Sequence, residues 1–294
     1  MIAERNAKIA ERLREAADIL GQQGANPFRV SAYRRAADTV AGLARDIGDI
    51  LREEGTDGLE RLPHIGESIA AAIAQMVRTG RWAQLDRLRG ELDPEKLFRT
   101  VPGIGPATAR RIHDTLHIDT LEALELAAHD GRLEAVPGVG RRRAAAWRAS
   151  LADMLGRVRA RPQPAPAAAA PRRDPEIAML LDVDREYREK AAAGKLSTIA
   201  PRRFNPTGEA WLPVLHTSRG DWHFTALFSN TARAHELGRT RDWVVLYFAD
   251  ADHAERQCTV VTESRGGLAG ERVVRGREAE CRDYYGAQPP MARG

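Results

Sequence analysis

Three times in the first half of the chain, an apolar residue and a proline are followed by a turn residue, a second apolar residue and a glycine, after which an amphipathic segment opens. The copies are LPHIGESIAAAI (62–73), VPGIGPATARRI (101–112) and VPGVGRRRAAAW (136–147). Glycine at such bends lets the backbone reach positive φ and approach a ligand with no Cβ in the way. A helix starting immediately afterwards presents unpaired N–H groups and a partial positive end, which together suit a phosphate. One such turn is an ordinary helix connection, whereas three in tandem define a repeat and require helices on both sides of each bend. The ligand-facing positions are His64 and Gly66 in copy one, Gly103 and Gly105 in copy two, and Gly138 and Gly140 in copy three. His64 stands where the other copies have glycine. Arg141, Arg142 and Arg143 add charge at the third helix start.

Apolar spacing around the repeat predicts helices over 4–20, 27–43, 47–54, 69–77 and 82–88, divided by Gly, Pro or Asp. Residues 161–175, rich in proline and alanine, have neither periodicity nor a core-forming face and read as a linker. Beyond them a helix over 177–193 precedes WLPVLHTSRGDWHFTALFS, a strand pair around a Ser-Arg-Gly-Asp turn. A short helix over 232–237 and strands over 243–248, 258–262 and 272–274 complete the pattern. The expected fold is multidomain, an all-α helix-hairpin-helix N-terminal half followed by an α+β C-terminal domain. Its expected units are 1–80, 81–158, a linker at 159–175, and 176–286.

Composition narrows the function. Net charge is +4, and only Lys8, Lys96, Lys190 and Lys195 of the 45 basic residues are lysines, so phosphate contacts have many candidates and amine chemistry few. No apolar run reaches the ~20 residues of a membrane span, and the charged N-terminus lacks the apolar stretch of a signal peptide. The expectation is a cytoplasmic protein, nucleoid-associated if bacterial, with Cys258 and Cys281 reduced.

The segment NPFRVSAYRRAA (26–37), then EEGTDGLERLPHIG, then the repeated turns, resembles the small lyase-type domain and helix-hairpin-helix subdomain of X-family (beta-type) DNA polymerases over residues 1–157. That resemblance implies DNA as partner, bound without sequence specificity in repair or end processing, with gapped or 5′-phosphorylated DNA favoured. It places the 5′-phosphate at Arg29, Tyr33, Arg34 and Arg35. It also implies a monovalent cation (Na+ or K+) on backbone carbonyls of Leu62, Ile65, Arg99, Val101 and Ile104. Two departures bear on chemistry. Ala72 stands where lyase-competent members carry the Schiff-base lysine, and Ser68 where they carry a phosphate-binding lysine. β-Elimination needs an amine that forms an imine, so no lyase activity is expected. Two-metal polymerisation needs clustered carboxylates. Neither Asp242-Trp243-Val244 nor Asp250-Ala251-Asp252 supplies the set, so no catalytic residue is assigned.

The C-terminal domain carries no motif with a named mechanism. Arg202-Arg203-Phe204 beside Trp222 and His223 suits a single-strand surface, while Trp211, Trp222 and Phe224 equally suit core packing. His216, His223, His235 and Glu263 offer metal or acid/base chemistry only if the fold gathers them. Two other functions therefore stand beside DNA binding: a nuclease or other hydrolase with its active site in this domain, and a scaffold that docks a DNA repair protein.

Overall fold

The computed structural model describes residues 2–155, 174–250 and 255–287. Most of the Pro/Ala-rich linker, and Asp252, lie outside the described residues.

The first half is helical throughout. Helix α1 (Ile2–Gln22) turns Ile9, Leu13, Ala16, Ala17 and Leu20 inward at three- and four-residue spacing, so one stripe is buried. Asn26 caps α2 (Pro27–Ala41), accepting from Phe28 N, and Pro27 supplies the preset φ of a first helical residue. Asp46 caps α3 (Ile47–Glu60), which bends at Gly55 (φ 69) and continues past the expected end at 54. Then come α4 (Glu67–Thr79), α5 (Ala83–Leu88), α6 (Pro94–Phe98), α7 (Pro106–Leu116), α8 (Leu121–His129) and α9 (Arg141–Met154). A first core runs from Ile9 to Leu88, and a second from Ala83 to Leu155.

After α10 (Ile177–Ala192) the chain builds a six-stranded antiparallel meander in sequence order: β1 (Ser197–Ile199), β2 (Leu212–Arg219), β3 (Trp222–Phe228), β4 (Val244–Ala249), β5 (Arg256–Thr262) and β6 (Arg272–Val274). Helix α11 (Ala232–Glu236) joins β3 to β4, and α12 (Glu278–Gly286) follows β6. The Ser-Arg-Gly-Asp turn closes the β2–β3 pair, with Arg219 opposite Trp222. Strand β4 is buried along its whole length because both sheet faces are covered. Val244, Leu246 and Phe248 join the core under α10 and α12, while Val245 and Tyr247 face the other way beside Leu212, Val214 and Leu227.

That second sheet face meets the helical half along a polar seam. Arg87 on α5 is 3% exposed, donates to Glu255 Oε2 at 2.6 Å, and stacks over the Tyr247 ring at 3.5 Å. The Tyr247 hydroxyl donates to Asp119 Oδ2 at 2.6 Å, and Asp119 Oδ1 lies 2.9 Å from His113 Nε2. Gln257 accepts from the Asp119 amide and donates to the His117 carbonyl. At one end the Arg202 amide donates to the Gly90 carbonyl at 2.7 Å. Gly90 holds φ +76, and a Cβ there would sit 2.4 Å from the Ala200 carbonyl oxygen.

Candidate nucleic-acid interface

The three copies of the repeat adopt one geometry. In each, the first apolar residue's carbonyl accepts from the second apolar residue's amide: Ile65 N to Leu62 O at 3.3 Å, Ile104 N to Val101 O at 3.1 Å, Val139 N to Val136 O at 3.0 Å. The intervening pair is proline and a residue at positive φ, namely His64 (63°), Gly103 (84°) and Gly138 (80°). Proline before a positive-φ residue is the signature of a type II turn. Ile65, Ile104 and Val139 are buried and anchor the bend, whereas Pro63, Pro102 and Pro137 and the flanking glycines are exposed.

Gly66, Gly105 and Gly140 are the N-caps of α4, α7 and α9, and none of these helices has a side-chain cap hydrogen bond. In the same half, α2, α3, α6 and α8 are capped by Asn26, Asp46, Asp93 and Thr120. The hairpin helices therefore start with amides available to an anion. A Cβ at Gly105 or Gly140 would meet nothing within 4 Å, so both bends open outward. Copies two and three interlock: a Cβ at Gly103 would lie 3.2 Å from Trp147 Nε1 on α9, and one at Gly138 would lie 3.5 Å from Arg111 Nη2 on α7. Their helix starts carry no acidic residue, and Arg110, Arg111, Arg141, Arg142 and Arg143 are exposed around them. Copy one has Glu67 in the first turn of α4, which opposes a second negative charge. Copies two and three thus form the better phosphate cradle.

The four positions assigned to a 5′-phosphate do not share one surface. Tyr33 departs most from expectation. It is 4% exposed, donates to Gln84 Oε1 at 2.9 Å and packs against Trp82, so here it is a core residue that seats α2. Arg29, one turn earlier on the same face, points toward Glu255 at 3.7 Å with 14% of its side chain exposed. Arg34 pairs with Asp18 at the surface, and Arg35 is exposed. Ala72 is buried and Ser68 half-buried. The Leu62 and Val101 carbonyls, two of the expected cation ligands, each accept the turn hydrogen bond.

A feature that periodicity does not reveal lies at the start of α2. Phe28 is 83% exposed and, with Arg29, lines a cleft of about 420 Å3 whose far wall is His216, Ser218 and His223 of the β2–β3 pair. Asn-Pro at the helix start was the available signal, since it sets Phe28 on the first turn. Ser218 Oγ is 2.9 Å from His223 Nδ1. His216 bonds Thr225 at 3.1 Å and Gln23, just past α1, at 2.8 Å, and burial pushes its pKa down to about 3. His235 bonds Asn230 and stacks on Phe204, while Glu263 is held by Arg275. Of the four residues weighed for a metal or acid/base centre, His216 and His223 share the cleft wall, while His235 and Glu263 lie apart from it. Among the described residues no group of three or more His, Cys, Asp or Glu is placed to hold a metal. Trp211, Trp222 and Phe224 pack on the sheet, and no described helix is long and apolar enough to cross a membrane.

Residues 4–82 match the helix-hairpin-helix domain family, and residues 95–153 match the SAM-like helix-hairpin-helix tandem family. The first half thus carries helix-hairpin-helix domains and is similar to part of an X-family polymerase. A 122-residue stretch is 26% identical to the DNA polymerase/3'-5' exonuclease PolX of Bacillus subtilis (strain 168), covering 41% of this chain and 20% of that protein. The chain thus spans about a fifth of the length of this curated relative. The two helix-hairpin-helix matches end before α10, so the α+β domain carries no family assignment from them.

Proposed function

We infer that the chain is a non-sequence-specific DNA-binding protein of repair or end processing, gripping the sugar-phosphate backbone at the second and third hairpins. The observation that carries this reading is the pair of outward-facing glycine N-caps, Gly105 and Gly140, with uncapped amides among arginines. The PolX relative and the helix-hairpin-helix matches support it. In this reading the cleft between Phe28, Arg29 and the β2–β3 pair receives a DNA end or gap, so gapped and 5′-phosphorylated DNA are favoured. Phe28 offers a ring for base stacking and Arg29 a guanidinium for phosphate. Lyase chemistry plays no part in this reading, because Ala72 supplies no amine, and polymerase chemistry plays none, because the sequence offers no two-metal carboxylate set. A monovalent cation on the carbonyls of copies one and two belongs to the same reading.

Gly105→Val and Gly140→Val test it cleanly. Both glycines hold ordinary extended backbone (φ −86 and −94) with open space beyond, so a branched side chain fits the fold while filling the phosphate approach. By fluorescence anisotropy the double variant should bind duplex DNA at least about tenfold more weakly, roughly 1.4 kcal/mol. Wild-type affinity should fall steeply with salt, because arginine-phosphate contacts release counterions. Unchanged affinity in the folded variant removes the hairpins from the interface. Equal affinity for gapped, nicked and intact duplexes removes the end preference alone.

A further inference from the structure

The seam between the helical half and the sheet encloses a cavity of about 60 Å3 that DNA binding does not use. Its polar lining includes Arg87 from α5, Arg203 from the loop after β1, His113 and Asp119 from the second helical unit, and Asn230 and Tyr247 from the sheet domain. Its remaining walls are largely apolar, the usual make-up of a ligand pocket at a domain junction.

The two guanidinium groups there are only half engaged. Arg87 spends Nη2 on Glu255, and Arg203 spends Nη2 on Glu95 at 2.7 Å. Arg87 Nε and Nη1 and Arg203 Nη1 are buried without any hydrogen-bond partner, and Arg87 is 3% exposed. Buried donors of this kind are rare and call for an acceptor. None of these wall acceptors faces the free guanidinium donors within hydrogen-bond distance, and each already takes one hydrogen bond: Asp119 Oδ1 with His113, Asp119 Oδ2 from Tyr247, Asn230 Oδ1 with His235 at 2.6 Å, and the Arg203 carbonyl from Asn230. A single water has two lone pairs and cannot serve three separate donors on two guanidinium groups. A phosphate group offers acceptors on most of its oxygens, and guanidinium only donates. At about 10–15 Å3 per water-sized position, the cavity takes a group of four or five heavy atoms.

We propose that this seam cavity is a phosphate site, in which one oxyanion bridges Arg87 of the helical half and Arg203 of the sheet domain. The phosphate is either the free ion or the terminal group of a nucleoside monophosphate. Since one ligating arginine comes from each half, occupancy tightens their union and raises the melting temperature of the full chain.

Calorimetric titration of the full chain with inorganic phosphate, at ionic strength fixed by chloride, should show one saturable site. Arg203→Gln should weaken it at least tenfold, while the Gly105→Val/Gly140→Val protein should keep it, which separates this site from the hairpins. Arg203→Lys, which keeps the charge, serves if R203Q fails to fold, and should weaken binding several-fold. A parallel titration with dAMP assigns the source: binding as tight as phosphate points to a nucleotide, and exclusion of dAMP points to the free ion. Absence of saturable binding, equal affinity in the folded Arg203 variant, or loss of the site in the hairpin variant overturns the proposal.

Discussion

His64 holds φ 63 at the turn position where the other copies have Gly103 and Gly138. A Cβ in the left-handed region is strained by of order 1 kcal/mol, partly offset because glycine loses more chain entropy on folding. His64→Gly should therefore stabilise the protein by about 0.5 kcal/mol in urea unfolding. A neutral or destabilising result would mean that the imidazole makes a compensating contact. The bends themselves were legible in the sequence, because proline, positive φ and a glycine N-cap are local requirements of three consecutive positions. Tyr33 was not. Its partner Gln84 lies 51 residues away, and nothing near an Ala-Tyr-Arg-Arg run separates a phosphate-facing tyrosine from one that fills a core.

At the scale of elements, α10 is fastened to β6 by charge as well as by packing. Asp184 is fully buried, with Oδ1 accepting from Arg272 Nη2 at 2.6 Å and Oδ2 accepting from Arg272 Nε and Arg188 Nε at 3.0 Å each. Arg272 also reaches Asp242 at 2.7 Å. Breaking a buried pair leaves a charge without its counterpart, so Asp184→Ala should cost about 3 kcal/mol, read as a lower urea midpoint for the sheet domain. A loss below about 1 kcal/mol would show that Asp242 alone satisfies Arg272. Long amphipathic stripes such as α1, and the hairpin around Gly220, were readable from periodicity and turn chemistry. Helix α12 was not, because EAECRDYYG buries only Cys281 and so shows no apolar stripe. Strand β1, three residues long, is defined by its pairing to β2 and not by any pattern of its own.

Across the whole molecule, the two halves are joined by side chains that a sequence presents as surface: Arg87, His113, Asp119, Tyr247 and His216. Their pairing spans up to 193 residues, which no local pattern encodes. His216 makes this union sensitive to acid. Burial, reinforced by Arg29 and Arg87, lowers its pKa from 6.5 to about 3. Above pH 6.5 the imidazole is neutral in both folded and unfolded chains and has no effect. Below that value the unfolded chain takes up a proton that the folded chain refuses, so stability falls until the pH nears 3. Wild type should lose about 2 kcal/mol more than His216→Gln between pH 6.5 and 5, measured by urea unfolding at each pH. Parallel profiles for the two proteins would place the acid sensitivity elsewhere.

At Gly90 the two halves meet backbone to backbone. Because the Ala200 carbonyl occupies the space a side chain would need, a single methyl group at position 90 acts as a wedge between the halves. The approach of the α5–α6 connection to the loop after β1 is thus set by the smallest side chain available. An enlarged residue at this point would have to displace one backbone from the other before the seam could close.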